Sequence, residues 1–206
     1  MRVLDAPCGH GRLTNLLAAR GLSMVGADLT ELFLDKARQD AAQLGLEVDY
    51  RRLEVREMAF KREFDAAFSW FTSFGYNDDD TDRDILARYH AALKPEARFL
   101  METQSIYRLV PLLIDGHGTS THSDRVGDDL TVDTTTLDAV ASRTHTQRIL
   151  VRAGQVRATE FGVRLWSAPE LTSWLESAGF REVRITDRRG EPFTVQSHRM
   201  VAVATA

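Results

Sequence analysis

The chain opens with Met1-Arg-Val-Leu-Asp-Ala-Pro-Cys-Gly-His-Gly-Arg12, an apolar run that ends in Asp5 and is followed by a loop containing Gly9 and Gly11. An amphipathic stretch comes next, so the segment predicts a strand, a glycine loop and a helix. A second apolar run ends in Asp28. In an open α/β sheet, both carboxylates would lie at the carboxyl ends of strands, where ligands bind. Because glycine has no Cβ, Gly9 and Gly11 would let the backbone approach a ligand closely.

The loop also indicates what kind of ligand it suits. A dinucleotide site is typically Gly-x-Gly-x-x-Gly, and Thr14 stands where its third glycine would be. A carboxylate at Asp5 would repel a pyrophosphate and suit a cation, whereas Asp28 is placed to accept hydrogen bonds from a ribose diol. A nicotinamide-dependent oxidoreductase is therefore disfavoured. The plain alternative is a strand-turn-helix connection whose glycines only serve the turn.

The length and composition of the chain fit one well-packed domain, with a small appendage at most. The 206 residues are 43% hydrophobic and 27% charged, and the net charge is −4, so nucleic acid is not an expected partner. No apolar run is long enough to span a membrane, and no signal-peptide pattern precedes the first strand. The only cysteine, Cys8, fits a reducing cytoplasm, and no Cys/His cluster has zinc-site spacing, so no metal is expected.

Hydrophobic patterning along the chain predicts strands alternating with helices in the first half, which is typical of a parallel sheet covered on both faces. The predicted strands are 3–5, 23–28, 46–53, 65–70, 98–103, 182–187 and 195–204, and the predicted helices are 12–20, 30–44, 81–93 and one opening at the capping box of residues 167–170. Between these lie a mobile loop over 115–129 and an antiparallel hairpin or meander that contains 148–152 and 156–166 and turns at Gly154–Gln155.

Two stretches carry a family resemblance. Asp5-x-Pro7-x-Gly9-x-Gly11 resembles motif I of the class I S-adenosylmethionine (SAM) dependent methyltransferases, (Asp/Glu)-x-Gly-x-Gly-x-Gly, with Pro7 in place of its first glycine. Phe64-Asp-Ala-Ala-Phe-Ser-Trp-Phe-Thr-Ser-Phe-Gly-Tyr76 resembles the segment after the fourth strand in small-molecule members. The resemblance implies a doubly wound, mostly parallel, seven-stranded Rossmann-like α/β sheet. It also implies a SAM-binding domain formed by 1–105 and 167–206, and an antiparallel substrate-binding insertion over 106–166.

The same resemblance implies roles for individual residues, with SAM as the cofactor. Asp5, Ala6, Pro7, Gly9 and Gly11 would face the methionyl amino group and the sulfonium. Asp28 would bind the ribose and Leu29 would pack on the adenine. The residues placed near the adenine amino group are Glu54 and Val55, with Glu57 as the alternative counterpart of Glu54 and a solvated charge as the other interpretation. The aromatic pair Trp70 and Phe71 would line the cofactor, and Tyr76 and Glu102 would border the acceptor.

Function follows as an expectation: methyl transfer from SAM to a small molecule by direct SN2 displacement, in a cytoplasmic protein that forms a possible homodimer. No catalytic residue is assigned, because such a transfer can proceed by proximity and alignment without a general base. The alternative is a non-catalytic SAM-fold module that acts as a partner subunit. It is suggested by the absence, ahead of the first strand, of the N-terminal helices usual in relatives, which would leave an apolar sheet face open.

The insertion is expected to form an antiparallel sheet over the carboxyl ends of strands four and five and to supply most of the acceptor pocket. The apolar side chains expected to share one of its faces are Ile149, Val151, Phe161, Val163 and Leu165. An extension of the core or a dimer interface is the alternative.

Overall fold

A seven-stranded sheet organises the molecule, seen in a computed structural model that describes all residues 1–206. Its strands are β1 (Arg2–Asp5), β2 (Ser23–Asp28), β3 (Asp49–Arg52), β4 (Phe64–Ser69), β5 (Leu93–Gln104), β10 (Arg181–Thr186) and β11 (Arg199–Thr205). Their order across the sheet is β10-β11-β5-β4-β1-β2-β3. The pairs among β1 to β5 are parallel, whereas β11 runs antiparallel to both β5 and β10. The predicted fold class, a mostly parallel seven-stranded sheet, is confirmed.

Helices cover both faces of this sheet. On one face lie α1 (Arg12–Ala18) and α2 (Glu31–Gln43), which contact each other and the strands β2 and β3. On the other face lie α3 (Asp79–Ala92), α5 (Ala168–Ser177) and a short 3₁₀ helix, Val55–Glu57. The larger core is on this second face, where α3 and α5 bury Leu86, Tyr89 and Trp174 against the sheet. Burial of such large apolar side chains is the main force that fixes the strand ends in space.

A second, antiparallel sheet follows β5. The helix α4 (Ile106–Asp115) comes first, and then β6 (Thr119–Val126), β7 (Asp129–Asp138), β8 (Arg143–Arg152) and β9 (Gln155–Arg164) form a four-stranded meander. The prediction of a mobile loop over 115–129 is wrong, because residues 119–126 pair in full register with β7. The prediction also missed α4, which separates β5 from the meander.

The prediction that five apolar residues share one face of this meander is also wrong. β8 and β9 turn at Ala153–Gly154, both with positive φ, so that Arg152 pairs with Gln155. Ile149 therefore pairs with Ala158, and Phe161 pairs with Thr146. A two-residue turn sets odd-numbered residues opposite even-numbered ones, and paired residues share a face. Ile149 and Val151 consequently lie on the face opposite to Phe161 and Val163.

Several predicted boundaries change by a few residues. Leu46 donates its backbone N–H to the Ala41 carbonyl, which closes the end of α2 and delays β3 to Asp49. The capping box at the start of α5 is confirmed, since the Ser167 side chain accepts a hydrogen bond from the Glu170 N–H. None of the helices has the length and apolar character that a membrane crossing needs.

Candidate active site

The candidate site is a cleft of about 350 Å³ at the carboxyl ends of β1 and β4. The strand order reverses between these two strands, and such a switch point is where open α/β sheets bind ligands. The cleft is lined by Asp5, Pro7, Cys8, Gly9, His10, Arg12, Leu13, Trp70, Phe71 and Ser73. The structure thus brings together five of the predicted residues, from two segments more than 60 residues apart.

Gly9 has the backbone freedom and the open surroundings that a ligand cradle needs. Its φ is +55°, and a Cβ built on it would have no atom within 4 Å. The Gly9 N–H donates to Asp28 Oδ2 at 2.8 Å, and the Thr30 N–H donates to Asp28 Oδ1 at 2.9 Å. Asp28 therefore fixes the loop, and each of its oxygens retains a second lone pair for a ligand hydroxyl.

Gly11 serves packing rather than an approach to a ligand. A Cβ on Gly11 would lie 2.3 Å from Tyr50 Oη, and one on Gly26 would lie 2.6 Å from Tyr50 Cε1. The Tyr50 ring from β3 thus lies across both glycines, and its hydroxyl donates to Asn15 Oδ1 of α1 at 2.7 Å. The two glycines let β3 hold the loop and the first turn of α1 together.

Asp5 is a buried carboxylate at the base of the cleft. It is 3% exposed, and the Thr14 hydroxyl donates to its Oδ2 at 2.6 Å. Burial raises the pKa of Asp5 to about 7, the Thr14 bond opposes this rise, and the nearby Asp28 charge adds to it. A cation bound in the cleft would restore the ionised form, because an opposite charge stabilises a carboxylate.

Phe71 forms the outer lip of the cleft. Its ring is half exposed and lies beside two guanidinium groups, with Arg12 Cζ 4.5 Å and Arg188 Cζ 4.9 Å from the ring centroid. Arg12 extends from the first turn of α1, and Arg188 extends from the loop between β10 and β11. Arg12 was missed in the sequence analysis, although its position directly after Gly11 was a usable signal.

Other predicted residues lie outside this cleft. Ala6 is fully buried and its carbonyl accepts from the Tyr89 hydroxyl, and Leu29 is half exposed directly after Asp28. Glu54 caps the 3₁₀ helix and pairs with Arg56 at 3.2 Å, which lowers its pKa through their hydrogen bond. Val55 packs against the main core. Their roles toward an adenine stay predictions.

The meander contacts the segment that follows β4. The Phe161 ring on β9 and the Tyr76 ring in that segment have centroids 6.3 Å apart. Arg148 Cζ lies 5.2 Å from the Phe161 centroid, and Asp133 binds Arg148 through two hydrogen bonds of 2.8 and 2.7 Å. Burial raises the pKa of Tyr76 above its ordinary value. No group of three or more metal-ligating side chains is present.

Sequence comparisons match at most about half of the chain. Residues 3–96 match the family described as a methyltransferase domain. A ubiquinone biosynthesis O-methyltransferase of Dechloromonas aromatica is 43% identical over 67 residues, which are 32% of this chain and 29% of that protein. The enzyme of the same name from Pseudomonas aeruginosa strain LESB58 is 31% identical over 103 residues, 50% of this chain and 44% of that protein. The chain thus matches less than half the length of these curated relatives.

Structural comparisons extend over nearly the whole chain. A SAM-dependent methyltransferase from Clostridium acetobutylicum superposes with a TM-score of 0.86 at 17% identity, covering 99% of this chain and 83% of that one. The CcbJ methyltransferase from Streptomyces caelestis gives 0.85 at 21% identity, covering 100% and 83%. These likenesses establish the fold, and residues 3–96 carry the match to the methyltransferase domain family.

Proposed function

We propose that this protein transfers the methyl group of SAM to a small-molecule acceptor by direct SN2 displacement. The observation that carries the proposal is the open space beside Gly9, in a cleft that the Asp5 carboxylate lines, with the Asp28 carboxylate bonded to the Gly9 N–H. SAM bears a cationic sulfonium, an ammonium and a ribose diol. A buried carboxylate, a second carboxylate with free lone pairs and an open glycine loop fit these three groups.

The residues of the chain divide the work between binding and alignment. Asp5 would face the ammonium, Asp28 the ribose hydroxyls, and Trp70 and Phe71 the region of the sulfonium. When bound, SAM supplies an electrophilic methyl group, and the protein's part is to align the acceptor with it. Apolar and aromatic walls favour such a reaction, because they do not over-solvate a cationic charge that disperses in the transition state.

The acceptor side of the site is formed by the meander in our proposal, with residues 106–166 as the substrate-binding insertion and 1–105 with 167–206 as the SAM-binding domain. The 6.3 Å separation of Tyr76 and Phe161 supports it, because it joins the segment after β4 to β9. The names of the curated relatives specify O-methylation, whereas one structural neighbour is an amino pentose methyltransferase. The proposal therefore specifies a small molecule and leaves the accepting atom open. A cytoplasmic location is part of it, from the single cysteine.

A matched pair of glycine variants tests the cofactor site. Gly9 and Gly45 have φ of +55° and +66°, and neither has an atom within 4 Å of a built Cβ. Substitution by alanine should therefore strain the backbone similarly, by roughly 1–2 kcal/mol in each case. Only Gly9→Ala places a methyl group in the cleft. Calorimetry with S-adenosylhomocysteine should show wild-type affinity in Gly45→Ala and at least a tenfold loss in Gly9→Ala.

Equal affinities in the two variants would place the cofactor elsewhere, and no binding by the folded wild-type protein would reject the proposal. Transfer of a labelled methyl group from SAM to a panel of phenols and amines then separates an enzyme from a module that only binds.

A further inference from the structure

Two consecutive non-glycine residues at the lip of the cleft have left-handed backbone conformations. Phe71 has φ of +58° and Thr72 has φ of +55°. A β-branched residue such as threonine rarely adopts this region, because its side chain crowds the backbone. Strained pairs of this kind persist only where the surrounding structure over-determines them, and they concentrate at functional sites. Some group must therefore hold these two residues, the lip of the cleft, in place.

Glu102, near the end of β5, provides that hold. Its side chain is completely buried, and the Phe71 N–H donates to its Oε2 at 2.9 Å. The Thr72 N–H donates to the backbone carbonyl of the same residue at 3.2 Å. Both strained residues are thus bonded through their amides to Glu102, one to its side chain and one to its backbone.

Arg199 of β11 completes the arrangement. Its Nε and Nη2 donate to the two carboxylate oxygens of Glu102 at 2.7 Å each, and Nη2 also donates to the Thr72 hydroxyl. Arg188 approaches Glu102 Oε1 at 3.1 Å and lies beside the Phe71 ring. With these donors the carboxylate is fully engaged inside the protein, which leaves it unsuited to binding an acceptor directly.

We propose that Glu102 and Arg199 are positioning residues that hold Phe71 and Thr72 in the geometry required for cofactor binding. The inference rests on the proposed function, because it takes the cleft beside Phe71 as the cofactor site. It assigns Glu102 a role different from the acceptor contact expected from its position. Without the pair, the lip would relax toward unstrained conformations, and part of the binding free energy would go into re-forming it.

Arg199→Lys tests this, because lysine keeps the charge but cannot bond both carboxylate oxygens and the Thr72 hydroxyl in the same fork. S-adenosylhomocysteine affinity, measured well below the unfolding midpoint, should fall about tenfold. Acrylamide should also quench the tryptophan fluorescence of unliganded Arg199→Lys more strongly than that of the unliganded wild type. Trp70 is partly buried in the cleft, whereas Trp166 and Trp174 are 0% and 4% exposed, so quenching reports mainly on the lip. Glu102→Gln, which preserves shape, is the second variant.

Arg98→Lys is the matched control. Arg98 lies on β5, donates to the Thr205 hydroxyl at 2.7 Å and pairs with Glu182 at 3.6 Å, away from the cleft. Arg98→Lys should leave both the S-adenosylhomocysteine affinity and the acrylamide quenching unchanged. Wild-type affinity and quenching in Arg199→Lys and Glu102→Gln would overturn the proposal, as would equal losses in Arg98→Lys. If the wild-type protein does not bind the ligand, the proposed function fails, and the quenching comparison alone decides whether the pair holds the lip.

Discussion

The pKa of Asp5 predicts that cofactor affinity depends on pH in a defined window. Burial raises this pKa to about 7 in the unliganded protein. In the proposed complex the ligand ammonium faces Asp5 and favours its carboxylate form, so binding below pH 7 must first remove a proton. Affinity should therefore fall about tenfold for each pH unit below 7, equivalent to about 1.4 kcal/mol per unit. Between pH 8 and pH 6, the dissociation constant of S-adenosylhomocysteine should rise about tenfold.

The free energy of unfolding of the unliganded protein should change with pH in the direction opposite to the ligand affinity, rising as the pH falls. The folded pKa of Asp5 lies above its unfolded value of about 3.9. The folded state then binds the additional proton, so this contribution to stability is fully present below about pH 4 and is lost as pH rises through 7. Asp82, whose burial raises its pKa to about 6, adds a contribution of the same sign. The difference between wild type and Asp5→Asn isolates the contribution of Asp5.

Calorimetry from pH 5.5 to 8 measures the affinity profile, and urea unfolding measures stability. Asp5→Asn should bind with a pH-independent affinity below that of wild type at pH 8, and Thr14 can still donate to its amide oxygen. His10→Gln is the control, because His10 is the only histidine among the residues that line the same cleft. Its affinity should keep the wild-type slope. A wild-type affinity that is flat over this range, or a slope that survives in Asp5→Asn, would refute the reasoning.

Two further substitutions test the packing that supports the site. Tyr50→Phe removes the 2.7 Å hydrogen bond to Asn15 and should lower the free energy of unfolding by about 1 kcal/mol in urea titrations; an unchanged midpoint would mean that this bond does not tie β3 to α1. Gly75→Ala places a Cβ 2.6 Å from Trp166 at φ of +99° and should cost about 2–4 kcal/mol from clash and backbone strain together. Gly190→Ala, at φ of +83° in open space, should lower the free energy of unfolding through backbone strain only. Equal losses in the two variants would show that the clash with Trp166 does not contribute.

Local patterns were sufficient to predict the cofactor half of the fold. β2 occupies the predicted 23–28, and β1 ends at Asp5 as expected, because each apolar run is bounded by a turn signal adjacent to it in sequence. The boundaries that changed depend on backbone bonds that composition does not show. Ser197 donates its N–H to the Thr194 carbonyl in a turn, which moves the start of the last strand from 195 to Arg199.

The meander was harder to predict, because its faces depend on pairing between strands. Threonine-rich strands alternate weakly, and residues 119–126 contain histidine, serine and aspartate that resemble a loop. Their strand is stabilised by a full register with β7, a tertiary effect that can override propensity. The two-residue turn places Ile149 and Phe161 on opposite faces of the sheet. The alternation of apolar residues along each strand does not contain this information.

Glu102 shows where sequence reasoning about a site stops. The local pattern correctly placed it near the carboxyl end of a strand, where a carboxylate suggests contact with a substrate. What the side chain does there depends on Arg199, which is 97 residues away and is brought alongside β5 by the antiparallel strand β11. The antiparallel strand β11 therefore supplies the cation that pairs with this buried carboxylate. A strand-end position fixes where a group lies, and its partners from distant strands decide whether it binds a ligand or supports the residues that do.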